Sequence, residues 1–241
     1  MSNVLITGAS GGIGLATARA FAEKGHNLAL FGFKNFDSLK AEAVAISDTF
    51  HVEVNCYKAD VSNPKEVKEA IAKVLTYFKK IDILVNNAGM SIVGLDIDMN
   101  PETWRQICDV NLSSAMYFTR ELMPSMIHEK SGKIINISSM WGVRGASCEA
   151  AYSATKGALN AYTKALGKEL APSGISVNAL ALGAIDTKMN SHLSADEKAE
   201  FEEEIPFGRM ATPKEAADMI VLLSEAPAYL TAQVIGFDGG Y

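Results

Sequence analysis

Val4-Leu5-Ile6-Thr7-Gly8-Ala9-Ser10-Gly11-Gly12-Ile13-Gly14 is the stretch that decides the fold. Three consecutive apolar residues read as a strand covered on both faces. The glycines then turn the backbone tightly and open a helix, leaving room for a ligand where a Cβ would stand. A helix that starts there offers free N–H groups and a positive dipole end to a pyrophosphate. The spacing is Gly-x-x-x-Gly-x-Gly, carried by Gly8, Gly12 and Gly14. It differs from the Gly-x-Gly-x-x-Gly of many dinucleotide sites. Its position, between a first strand and a first helix, makes it specific.

The alternation continues outward from this turn. Strands are predicted at 4–7, 27–31, 52–57, 83–86, 133–138, 176–181 and 233–237, several of them apolar throughout. Helices are predicted at 12–24, 36–49, 64–78, 101–130, 151–171 and 213–224. Asn63-Pro64 and Thr212-Pro213 each place an N-cap residue before proline at the first helical position. Strands separated by helices imply βαβ units, hence an α/β fold with a doubly wound, Rossmann-type parallel sheet of about seven strands. No repeat or linker interrupts the chain, and residues 1–241 read as one dinucleotide-binding domain. The long irregular stretch 182–210 holds an acidic helical piece at 195–204. It reads as a solvated helix face within a lid over the ligand crevice.

Composition narrows the function. The chain has 241 residues, 48% hydrophobic and 21% charged, with a net charge of -6. A chain this acidic is not expected to bind nucleic acid or dock on an anionic membrane. No stretch reads as a signal peptide or membrane span, and Cys56, Cys108 and Cys148 read as reduced thiols, so a cytoplasmic protein is expected. His26, His51, His128 and His192 share no ligand spacing, so no metal site is expected.

Strand two ends in Phe31-Gly32-Phe33-Lys34-Asn35. An acid at that tip would accept hydrogen bonds from the ribose 2′-hydroxyl of NAD. Lys34 suits a 2′-phosphate instead, so NADP(H) is the preferred cofactor, with NAD(H) still open.

Thr7-Gly8-x-x-x-Gly12-x-Gly14, Asn86-Asn87-Ala88-Gly89, Tyr152-x-x-x-Lys156 and Asp238-Gly239-Gly240 follow one another in that order. In this set the sequence resembles the short-chain dehydrogenase/reductase family, and within it the 3-oxoacyl-(acyl-carrier-protein) reductases. The resemblance implies NADPH-dependent reduction of a ketone, as in fatty acid synthesis, by a homotetramer in which the helices at 101–130 and 151–171 pack across a two-fold axis. It implies Asn111, Ser139, Tyr152 and Lys156 as catalytic residues. It further implies that Thr7, Gly8, Ser10, Gly11, Gly12, Ile13, Gly14, Lys34, Asp60, Val61, Asn87, Ala88, Gly89, Ile185 and Thr187 contact the cofactor, together with Tyr152 and Lys156.

The chemistry is consistent with the pattern. A free tyrosine, with a pKa near ~10, is a poor proton donor at neutral pH. Tyr152 and Lys156 are four residues apart and share a helix face, and the ammonium is expected to lower the phenol's pKa. Ser139 is placed to hold a carbonyl oxygen as negative charge develops, with Ser138 beside it as the other candidate. By resemblance, Asn111 bends its helix and positions a water that relays protons toward Lys156.

Three departures from the family pattern stand out. Leu182-Gly183 replaces the usual Pro-Gly, and Leu15 replaces an arginine common in NADP-preferring members. At the two basic positions where an acidic carrier would dock near the site entrance, Lys130 keeps the charge and Ser173 does not. The stretch Ser139-Met140-Trp141-Gly142 through Gly145-Ala146-Ser147-Cys148-Glu149 resembles instead reductases of a ketone-bearing modification on elongation factor P. A small carbonyl substrate remains a further alternative, and a non-catalytic dinucleotide sensor a remote one.

Overall fold

The computed structural model describes residues 1–187 and 194–241. His192 and the middle of the 182–210 stretch lie outside the described residues. The strands are β1 Asn3–Ile6, β2 Asn27–Gly32, β3 Val54–Lys58, β4 Ile83–Asn86, β5 Gly132–Ser139, β6 Ile175–Leu182 and β7 Val234–Phe237. They form one parallel sheet in the order β3-β2-β1-β4-β5-β6-β7. The helices are α1 Gly12–Glu23, α2 Phe36–Phe50, α3 Pro64–Phe78, α4 Pro101–Cys108, α5 Ser114–Glu129, α6 Trp141–Arg144, α7 Ala150–Leu170, α8 Ala195–Glu203 and α9 Pro213–Glu225. No helix among the described residues is long and apolar enough to cross a membrane.

Successive strand residues bury on opposite faces of the sheet. Ile6, Leu30, Val85 and Leu180 pack under Phe21, Leu39, Ile46 and Ile220 of α1, α2 and α9. Leu5, Phe31, Leu84 and Val177 pack under Val67, Ile71, Phe118 and Leu166 of α3, α5 and α7. A sheet covered twice explains why its strands are apolar throughout.

Strand order reverses between β1 and β4, and the crevice beyond their carboxyl ends is the ligand position of such a sheet. The helices framing that crevice are capped unequally. Asn63 caps α3, while Thr212 and Glu215 form a capping box on α9. Gly11 at the N-cap of α1 gives no side-chain cap, and the first turn of α1 carries no acid. The first-turn amides of α1 are thus left for an anion.

The sequence predicts one helix over 101–130. The structure breaks it with a π turn at Asp109–Ser113, between α4 and α5. The buried Asn111 supplies the cause. Its side chain reaches back to Met90, donating to the carbonyl at 2.9 Å and accepting from the amide at 2.8 Å. One residue is squeezed outward to make that reach, as π turns at functional sites often do.

Candidate active site

The phosphate loop is built from the sheet upward. The Thr7 hydroxyl accepts from the amides of Asn87 and Ala88, each at 2.9 Å, tying the end of β1 to the end of β4. The Asn87 side chain donates to the carbonyls of Thr7 and Gly8 at 3.0 and 3.2 Å. Gly8 has φ +63, and a Cβ there would fall 2.9 Å from the Cα of Ala88. At Gly14 a Cβ would fall 2.3 Å from the carbonyl oxygen of Gly8. Both positions need glycine for the loop to close on itself and present α1 to the crevice.

The other predicted cofactor residues surround that helix end. Ser10 lies against Gly32, the last residue of β2, with its Oγ 3.7 Å from an ideal Cβ there. Lys34 follows two residues later, exposed and without an ion pair among the described residues. The amide of Ala59 donates to Gly32 at 3.4 Å, which brings the β3 end alongside. There Asp60 accepts from the amide and hydroxyl of Ser62 at 2.9 and 2.6 Å, holding the turn that includes Val61. Across the crevice, Ile185 is buried, and the Cγ2 of Thr187 stands 3.2 Å from an ideal Cβ on Gly12. The structure thus brings these residues to one crevice, and the space kept open by missing side chains suits a dinucleotide.

Ser139, at the end of β5, is buried, and its Oγ accepts from the amide of Trp141 at 3.1 Å. Ser138 turns away and donates to the Lys156 carbonyl at 3.4 Å. Ser139, by contrast, lies within hydrogen-bonding reach of the Tyr152 phenol. Tyr152 and Lys156 lie one turn apart on α7, with the Lys156 Nζ 5.7 Å from the ring centroid. That Nζ donates to the carbonyl of Ile137 at 2.8 Å. An ideal Cβ on Gly89 lies 3.5 Å from both the Lys156 Nζ and the Asn111 Oδ1, so β4, the π turn and α7 converge at one point. Gly142 allows α6 to sit on α7: a Cβ there would lie 2.6 Å from the Lys156 carbonyl carbon.

The electrostatics correct one expectation. The ammonium of Lys156 does not pull the Tyr152 phenol down. Burial pushes that phenol up to about 12, the Ser139 hydrogen bond lowers it only partly, and Glu149 adds to the rise. Burial also lowers the Lys156 amine to about 8. Spacing on a helix fixes which groups meet, but desolvation moves their titration, and here it shifts both toward their neutral forms, the phenol staying protonated and the amine still largely an ammonium at neutral pH.

Two placements differ from the family-based reading. Lys130 ends α5 and Ser173 sits just before β6, with the Lys130 carbonyl 2.6 Å from an ideal Cβ on Gly174. The two are neighbours, but at the amino ends of β5 and β6, opposite the crevice in the same chain. Sequence reasoning also passed over Thr155 and Glu149. Thr155 accepts from the Asn111 side chain at 3.1 Å, and Glu149 accepts from the Ser91 hydroxyl. Their positions three residues either side of Tyr152 were the available signal. Among the described residues no group of three His, Cys, Asp or Glu side chains could hold a metal.

Known proteins share this architecture. A family model described as enoyl-(acyl carrier protein) reductase matches residues 8–241. The uncharacterized oxidoreductase YmfI of Bacillus subtilis (strain 168) is 42% identical over 238 residues, covering 98% of this chain and 97% of that protein. The 3-oxoacyl-(acyl-carrier-protein) reductase FabG of Thermotoga maritima is 38% identical over 239 residues, covering 98% and 96%. A crystal structure of a variant actinorhodin polyketide ketoreductase with NADPH superposes with a TM-score of 0.93 at 31% identity, covering 99% of this chain and 96% of that one.

Proposed function

The chain belongs to the short-chain dehydrogenase/reductase family, and from that premise we propose that it reduces a ketone to an alcohol with NADPH, the ketone being a 3-oxoacyl group on acyl carrier protein. The observation that carries this reading is the meeting of the buried Ser139 and Lys156 with the half-buried Tyr152 beside the dinucleotide crevice.

A nicotinamide dinucleotide is the cofactor of such an oxidoreductase, and when bound it supplies the hydride. Thr7, Gly8, Ser10, Gly11, Gly12, Ile13 and Gly14 would hold its pyrophosphate. Asp60 and Val61 would border the adenine, and Lys34 would meet a 2′-phosphate, favouring NADPH. Asn87, Ala88, Gly89, Ile185 and Thr187 would line the remainder. Ser139 holds the substrate's carbonyl oxygen, and Tyr152 gives that oxygen its proton. The raised phenol pKa keeps Tyr152 in its acid form through the neutral range, the form that reduction requires. Lys156, with an amine near 8, sits where it can return a proton to Tyr152, and Asn111 positions the water that feeds it. The described parts of the 182–210 stretch, 182–187 and 194–210, would border the substrate as a lid.

One observation supports a second substrate, a ketone on a modified protein side chain such as that of elongation factor P. The lid helix α8 carries Asp196, Glu197, Glu200, Glu202 and Glu203, an acidic surface that repels an acidic carrier. We also propose a homotetramer, supported by exposed Trp104, Met116 and Ile127 on α4 and α5; light scattering tests it. Parallel NADPH-oxidation assays with acetoacetyl-carrier protein, a small acetoacetyl thioester and small ketones test the reaction. Turnover fastest with the carrier-bound thioester is the expected result, and no oxidation of NADPH across the panel would overturn the reading.

A further inference from the structure

Tyr241 lies outside every motif and outside the proposed catalytic set. Its ring meets Trp141 edge to face, with centroids 5.6 Å apart. It also lies 6.0 Å from the Phe201 ring and 5.8 Å from the Arg144 guanidinium. Its hydroxyl donates to Glu204 at 2.8 Å. Trp141 and Arg144 belong to α6, the loop helix that follows Ser139, whereas Phe201 lies in the last turn of α8 and Glu204 is its C-cap. One side chain therefore touches both α6 and the carboxyl end of α8.

Its own anchorage is firm. The Phe207 amide donates to the Gly239 carbonyl at 3.0 Å, and an ideal Cβ on Gly239 would sit 2.9 Å from Ile205. The Asp238 carboxylate accepts from the Gly240 amide at 3.1 Å. The turn 238–241 is thus fixed to the leg of the lid and to the β7 end. Trp141 matters because its amide is the group that donates to the Ser139 Oγ. Through Trp141, Tyr241 reaches the residue that holds the carbonyl oxygen.

We propose that Tyr241 is a positioning residue for the ketone: it bolts α8 to α6, and so fixes the substrate entrance and the setting of Ser139. The kinetic part of this inference rests on the reductase reading above; the structural part does not. The test uses the whole chain, with an acetoacetyl thioester as the ketone. Tyr241→Ala is expected to raise KM for the ketone about tenfold, with kcat falling less and NADPH affinity unchanged. Tyr241→Phe keeps the ring contacts and loses the bond to Glu204, so a smaller rise is expected, about threefold. In a Trp104→Phe background Trp141 is the one remaining tryptophan. Tyr241→Ala should then shift its emission to the red and expose it to acrylamide, whereas Tyr241→Phe should leave it unchanged. If the wild type reduces no thioester, the reductase reading fails and the emission decides this inference alone. If Tyr241→Ala does not fold, the Tyr241→Phe kinetics decide. Unchanged KM in the folded variants, equal losses of NADPH and ketone affinity, or Trp141 emission indifferent to Tyr241→Ala would overturn it.

Discussion

Replacing Lys156 by methionine should make the protein more stable while disabling it. Lys156 is 4% exposed, and among the described residues its Nζ has one hydrogen bond, to the Ile137 carbonyl at 2.8 Å. Burial brings the amine from 10.5 to about 8. Between those values the unfolded chain binds more protons than the folded one, so stability rises with pH across that window. The cost of burying the ammonium is therefore fully present below about 8 and relieved toward 10.5. At about 1.36 kcal/mol per decade, that cost is about 3 kcal/mol at neutral pH. Methionine fills a similar volume without charge, and the lost hydrogen bond gives back about 1 kcal/mol. A net gain of about 2 kcal/mol follows, or about 4–8 °C in Tm for a chain of this length. Urea unfolding of both proteins, at neutral pH and again near pH 10.5, measures it. Lys156→Met should be the more stable at neutral pH, the gap should shrink and change sign at the higher pH, and turnover should fall by about 10²–10⁴. A variant less stable at neutral pH, or a gap indifferent to pH, would refute the reasoning.

Tyr152→Phe removes the O–H and keeps the ring; single-turnover kinetics should show a loss of about 10²–10⁴ in rate. Fluorescence titration with NADPH should remain within about threefold of wild type, and surviving turnover would place the proton donor elsewhere. Lys34→Ala should weaken NADPH about tenfold and leave NADH untouched, as measured by Kd for each. Equal losses would remove the 2′-phosphate role.

The order of strands and helices was legible because each signal was local: Val4-Leu5-Ile6 before a glycine turn, or Asn63-Pro64 before an apolar helix face. Asn111 was legible by resemblance as a helix-bending residue, but its π turn was not, because the bend is made by contact with Met90, 21 residues away. Tyr152 and Lys156 were legible as a pair through helix periodicity. The direction of the phenol's shift was not, since it depends on burial by segments that no spacing encodes. Lys130 and Ser173 were read as part of a site rim, yet the parallel strands place them at their amino ends, opposite the crevice in the same chain. Tyr241 carried no signal at all, because its partners Trp141 and Phe201 meet it only after the sheet is complete.

The close seating of α6 on α7 has a bearing on redesign. With Lys156 backbone only 2.6 Å from where a side chain on Gly142 would begin, that residue acts as a fixed hinge pin in an otherwise adjustable loop. Its neighbour Val143 is 63% exposed and free to vary. A library aimed at new ketones should therefore diversify position 143 and spare 142, since even alanine there would wedge the loop that follows Ser139 away from the helix that carries Tyr152.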